Sequence, residues 1–239
     1  MRLQHPHKRI LVILAFLGLF TSKLTGQDLG TQFWANYAAK VNVDDRWSWG
    51  GDAGVRGLGT NLDWYQALIR PAVNYRFEKP MSISGALAWF GTYNHNSISL
   101  NELRFHQEFN AQWPDLNAIH FFYRIRLEER FFFYRNDIPN DFKVRLRALV
   151  GVRTRDLNWF SSKRPIYFES LLEGFKTINE EEALEIFVNR ARWHAAFGHR
   201  ISKNFRYEIH YIYQGSTLFT SDGPESSQNI FRLRLFHNL

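Results

Sequence analysis

The sequence predicts an all-β fold, an antiparallel transmembrane β-barrel of ten to twelve strands with twelve favoured, and three observations predict it. Apolar and polar residues alternate with a period of two through most of the chain after residue 26, which marks extended strands. The polar parity is rich in arginine: Ile119 to Phe133 sets Phe121, Tyr123, Ile125 and Leu127 against His120, Arg124, Arg126, Glu128 and Arg130. Aromatic residues make up 17% of the 239 residues, with 22 Phe, 10 Tyr and 8 Trp, a content that suits aromatic girdles at two bilayer interfaces.

Residues 1–26 read as a separate unit. Arg2, Lys8 and Arg9 precede an apolar core from Ile10 to Phe20, and small residues around Thr25 and Gly26 lead to Gln27. A core that short does not span a bilayer and has the layout of a secretory signal peptide. Its competing reading is an N-terminal anchor. Residues 27–239 are then the barrel. The formal charge of +7 includes Arg2, Lys8, Arg9 and Lys23, so the mature chain carries +3. Such a modest balance, on an exported chain, argues against a nucleic-acid partner. With no cysteine, disulfides, thiolate metal sites and a lipobox anchor are excluded.

Eleven segments follow in order. Thr31 to Val43 sets Phe33, Ala35, Tyr37 and Val41 against Gln32, Asn36 and Lys40, and Asp44-Asp45 turns it. Arg46 to Leu58 sets Trp47, Trp49 and Val55 against Ser48, Asp52 and Arg56. Trp64 to Phe77 places Arg70 and Arg76 on its polar parity; Met81 to Tyr93 alternates Ile83, Leu87 and Trp89 with small residues. Asn101 to Trp113 opposes Leu103, Phe105 and Phe109 to Glu102, Arg104, His106 and Glu108. After the Ile119 segment, Phe142 to Arg153 has Arg145 and Arg147 on the polar side. Pro165 to Lys176 has no clear parity. Glu185 to Arg200 carries Arg190, Arg192 and His194, and Phe205 to Gln214 carries Arg206, Glu208 and His210. Gln228 to Leu239 closes the chain, with Arg232 and Arg234 inside and Phe231, Leu233, Leu235 and Leu239 on the other parity. The later connections alternate short and long, as barrel turns and outer loops do. Because even strand counts are preferred, one strand near the N-terminus is expected to be either missing from this division or split in two, and ten or twelve strands are the closed solutions.

Energetics assigns the faces. In lipid every backbone amide must be paired within the protein, so extended chain spans only as a closed barrel. An arginine facing lipid near the midplane costs about 2–4 kcal/mol. A dozen of them would exceed the roughly 5–15 kcal/mol that holds a domain folded. The arginine parity therefore faces the lumen. Glu129 breaks the apolar parity, which places it at the interface. A terminal amphipathic strand bearing Phe231, Leu233, Leu235 and Leu239 is similar to the signal read by barrel assembly machinery. Leu239 stands where such signals usually carry an aromatic, and His237 interrupts the series. The competing reading is a β-sandwich whose last strand ends the chain.

Gln32-Phe-Trp34, Asn101-Glu-Leu-Arg104, Tyr123-Arg-Ile-Arg-Leu-Glu-Glu-Arg-Phe131, Asn189-Arg190 and Asn229-Ile-Phe-Arg-Leu-Arg-Leu-Phe236 resemble a family of Gram-negative outer-membrane proteins catalogued as domain of unknown function 2490. The likeness spans nearly all of the mature chain, and its Arg-x-Arg-x-Glu-x-Arg strand is the most specific part. The resemblance implies an outer-membrane barrel and brings no activity or catalytic residue.

Two readings of the charged lumen compete. Glu102, Glu108, Glu128 and Glu208 can pair with the arginines of neighbouring strands and fill the bore, a structural role. Alternatively the arginine surplus draws anions through a narrow channel. A rim enzyme of lipase or protease type is the third reading, with His210, Ser216 and Asp222 as its nearest constellation. No His-x-Gly motif of outer-membrane phospholipases accompanies them, and each inner histidine reads better as part of the polar network. The acidic run Glu180-Glu181-Glu182 reads as solvated loop, not a calcium site. The expectation is a monomer without cofactor or metal, with membrane lipid, the assembly machinery and small anionic solutes as partners.

Overall fold

The computed structural model describes residues 27–59, 64–78, 80–94, 99–135, 138–159, 161–179, 191–215 and 226–239. Residues 1–26, expected to be a signal peptide, and Arg190, Ser216, Asp222 and Glu180 to Glu182 lie outside them. Twelve strands are present: β1 Gln27–Asn42, β2 Trp47–Leu58, β3 Trp64–Glu78, β4 Met81–Asn94, β5 Leu100–Ala111, β6 Asp115–Leu116, β7 Ile119–Tyr134, β8 Asp141–Thr154, β9 Ile166–Thr177, β10 Ala191–Arg200, β11 Phe205–Gly215 and β12 Ser226–Asn238. Neighbours in sequence pair antiparallel from β1 to β5 and from β7 to β12, β5 pairs with β7, and β1 pairs with β12. The wall is therefore a closed ring of eleven strands, which leaves no sheet edge unpaired.

The twelfth strand, β6, is a two-residue piece against β7 at Asp115–His120 and Leu116–Ile119, not an extra strand near the N-terminus. Eleven is odd, so the ring closes with one parallel seam. Tyr37 of β1 stands beside Leu235 of β12, and Trp34 beside Arg232. Chain direction at the seam follows from the count alone: eleven strands make ten reversals, and an even number of reversals leaves the first and last strands pointing the same way. The connections after β1, β3, β5, β8 and β10 and residue 239 lie at one end, here called the turn end. The connections after β2, β4, β7, β9 and β11 and residue 27 lie at the other, the loop end.

Short connections are built by local chemistry. Between β1 and β2 the Asp44 carboxylate accepts from the backbone N–H groups of Arg46, 2.7 Å, and Trp47, 2.6 Å. Such a side-chain turn fixes the reversal. The two backbone bonds, from Trp47 first and Arg46 second, hold the Asp44 carboxyl below the usual carboxylate range. Ser202 plays the same part between β10 and β11, accepting from the N–H groups of Asn204 and Phe205.

Burial is inverted relative to a water-soluble domain. Val55, Ile69, Leu87, Ile125, Ile209 and Leu233 are among the most exposed side chains and share the outward parity. Aromatic cross-strand pairs flank that apolar belt. At the turn end Trp47 packs on Tyr75 with centroids 4.7 Å apart. At the loop end Tyr65 packs on Tyr93, 5.0 Å, and Phe131 on Phe142, 4.7 Å. Glu129 is outward, opposite Phe105 and Val144 and two residues from Phe131. Buried positions, by contrast, include Glu102, Arg104, Arg126, Glu128, Arg130, Arg145 and Arg147. A face that is apolar outside and charged inside suits lipid around a polar bore.

Candidate functional site

The inward parity of the ring encloses a cavity of about 410 Å³. Its lining runs from Gln32, Trp64 and Phe132 near the loop end to Gln112, His120 and Phe236 near the turn end. Strands of this length rise about 30 Å when tilted, so the space is narrow for its length. Thirteen arginines line it, from Arg56 in β2 to Arg234 in β12, against five acidic residues, Asp52, Glu102, Glu169, Glu173 and Glu208.

One wall, β5 to β9, carries a zigzag of opposite charges set by register. Arg126 stands across from Glu108, Arg145 from Glu128, and Arg153 from Glu169. Directly opposed side chains on one face lie about 5 Å apart at Cβ, so these pairs meet without strain. Glu128 is fully buried. Its carboxylate accepts from Arg145 Nη2, 2.7 Å, and Arg147 Nη1, 2.8 Å, with Arg126 Nη1 at 3.4 Å and Arg104 Nη1 at 3.5 Å. Glu102 joins Arg104 and Arg130, each at 2.7 Å. Glu173 takes Arg147 Nη2 at 2.7 Å and also Arg124. Glu108 pairs with Arg126 and lies 3.9 Å from Arg124. Every arginine lining the cavity on this wall meets a carboxylate, which meets the need of buried charge for a partner.

Aromatic rings are interleaved with the charges. Arg104 sits over Phe90 at 4.2 Å, Arg147 over Phe175 at 4.7 Å, and Arg130 over Phe132 at 4.6 Å. Two rings lie flat against glycines of the next strand. Tyr167 covers Gly198, where an added Cβ would come within 2.1 Å of the ring, and Phe122 covers Gly151 in the same way. The Tyr167 hydroxyl donates to Glu208, 2.7 Å.

Glu208 gathers the charges of β11 and β12. It holds His210 Nε2 at 2.9 Å and lies 3.6 Å from Arg206 and 3.7 Å from Arg234. His210 is 1% exposed and also meets Arg232 Nη2 at 3.2 Å, so it sits inside the network and not at a rim. Asp52 pairs with Arg70 at 2.6 Å. Arg76 is exposed and lines a separate space at the turn-end mouth with Lys40, Asn42 and Arg46, outside the charge network of the main cavity. Phe231 and Leu233 face outward on β12, and Leu239 follows its end.

Glu169 and Glu173 were the acidic residues that sequence reasoning missed. Tyr167, Glu169, Leu171, Glu173 and Phe175 share the inward parity of β9. The signal was hidden because the outward parity there holds Ser170, Gly174 and Lys176 among its apolar residues, so neither face reads as apolar. Among the described residues no group of three His, Asp or Glu side chains is placed to hold a metal ion.

A family model described as a protein of unknown function, DUF2490, matches residues 31–223. The chain belongs to that family. Among solved structures, the NanC porin in its rhombohedral crystal form aligns with a TM-score of 0.49 and 13% identity, over 87% of this chain and 99% of that one. Comparison with curated proteins gave no match.

Proposed function

We propose that this DUF2490 protein is an integral outer-membrane β-barrel of a Gram-negative bacterium, exported by the Sec route with loss of residues 1–26, and that its bore is a narrow, anion-leaning passage. The observation that carries the reading is the charge of the bore: thirteen arginines line the cavity, against five acidic residues of its lining and two more, Glu108 and Glu128, that pair with those arginines from behind, along a space that reaches toward both ends of the strands. The β5–β9 half of the bore is cross-linked by its carboxylates and acts as a filled, rigid wall. Positive charge left over on the other half attracts anions into a low-dielectric tube, where unscreened fields are strongest. The chain acts as a monomer with no cofactor, and the terminal residues Phe231, Leu233, Leu235 and Leu239 serve as its assembly signal.

Planar-bilayer recording of the purified full-length barrel tests this. Stepwise conductance whose reversal potential in a salt gradient favours chloride over potassium is the expected result. A silent membrane, or cation preference, would overturn the passage. Cell fractionation tests the location, and recovery of soluble protein from the periplasm would sink it.

A further inference from the structure

Positive charge in the bore is not neutralised evenly. Opposite the β5–β9 wall, Arg56, Arg192 and Arg232 have no carboxylate within ion-pair distance among the described residues; Glu173 and Glu128 act on Arg192 only from farther away. Register gathers these cations. Trp34 of β1 stands directly across from Arg56 of β2 on one side and from Arg232 of β12, over the parallel seam, on the other. Arg56 lies 4.2 Å from the Trp34 ring centroid, and Arg192, reaching over from β10, lies 5.4 Å from it.

Neutral acceptors hold each group without cancelling its charge. Arg56 Nη1 donates to Gln66 Oε1, 2.9 Å, and Arg192 Nε to Gln214 Oε1, 2.7 Å. Trp34 Nε1 donates to Gln32 Oε1, 2.6 Å. His194, 4% exposed, lines the same cavity with neither ring nitrogen bonded, and Arg56 Nε and Arg232 Nε are likewise unbonded. Clustered like charges with idle buried donors are costly unless a counter-charge enters.

We propose that Arg56 and Arg192 over the Trp34 ring, with Arg232 across the seam and His194 beside them, form a binding site for a small oxyanion group, the carboxylate or phosphate of a solute in the bore. The site rests on the reading of the bore as an anion passage and gives that passage its point of selection. Guanidinium forks match oxyanions bidentately. Their fixed orientation spares the ordering cost of binding.

Isothermal titration of the full-length barrel in detergent micelles with inorganic phosphate, and separately with acetate, tests the site. Saturable binding of at least one anion is expected, weakened at least tenfold by Arg56→Gln and by Arg192→Gln and unchanged by Arg155→Gln at the exposed turn end. Heat-modifiable gel mobility of each variant shows that it is folded. Absence of saturable binding to the folded parent, or equal binding by the folded Arg56→Gln and Arg192→Gln variants, would overturn the site. Bilayer recordings separate the two proposals. Conductance with anion preference but no saturable binding sinks the site and keeps the passage. A silent bilayer with intact, Arg56-dependent binding sinks the passage and keeps the site.

Discussion

Replacing Glu128 by Gln probes the cross-linked wall at its centre. The parent carboxylate is fully buried and takes three short bonds: Arg145 Nη2 at 2.7 Å, Arg145 Nε at 2.9 Å and Arg147 Nη1 at 2.8 Å. Glutamine keeps the volume, removes the charge and turns one acceptor into a donor facing guanidinium donors. Breaking a buried pair by losing one partner costs about 3–5 kcal/mol, a large share of a total stability of roughly 5–15 kcal/mol. Equilibrium urea unfolding of the barrel in lipid vesicles reads the loss. Adding Arg145→Met to the same variant should recover part of it, because the uncompensated cation is then gone; a double-mutant cycle isolates that coupling. Asp115→Asn provides the contrast. Its partners His120 and Arg155 lie at the turn end, with Asp115 itself 60% exposed, and such pairs contribute about 0–1 kcal/mol. A Glu128→Gln loss below about 1 kcal/mol, level with an exposed pair, would refute the view that this wall is held by its buried charges.

Further outcomes follow from other parts of the ring. Gly198→Val drives a side chain into the Tyr167 ring, whose atoms lie 2.1 Å from an added Cβ, and should cost about 1–3 kcal/mol as overpacking in the same unfolding assay. Tyr167→Phe, which loses only the bond to Glu208, should cost about 1.5–3 kcal/mol, as bonds to charged groups do. On the outer face, Leu87→Arg at the middle of β4, where Leu87 is 55% exposed, should cost about 2–4 kcal/mol in vesicles, and Phe77→Arg near the turn-end belt about 0–1 kcal/mol; equal losses would mean that the belt does not face lipid. At the β1–β2 turn the Asp44 carboxyl is held below its usual range by backbone N–H groups. Its contribution is therefore complete above the ordinary aspartate value and fades as pH falls through the lowered one. Amide exchange at Arg46 and Trp47, corrected for intrinsic rates, should lose protection in that window, and Asp44→Ala should flatten the dependence.

Strand positions were legible because period-two alternation is a local property. The reading of Ile119 to Phe133 coincides with β7, Ile119–Tyr134, and the outward set Phe121, Tyr123, Ile125 and Leu127 needed no partner strand to be recognised. Inward charge followed from the cost of arginine in lipid, which is also independent of neighbours. Where both parities are mixed, as in β9, the same logic had nothing to hold, and Glu169 and Glu173 emerged only with the sheet.

The sequence by itself determined a lipid-facing apolar parity, an arginine-rich bore and a chain of twelve strands or nearly so, because each depends on residue type and spacing within one segment. Only the tertiary structure decided how the ring closes. Eleven wall strands force a parallel seam, and the register of that seam sets Arg232 beside Trp34 and so beside Arg56. Residues almost two hundred positions apart in the chain become neighbours through closure. No local pattern carries that information: the register of the seam is fixed by the fit of the whole ring, not by either strand alone.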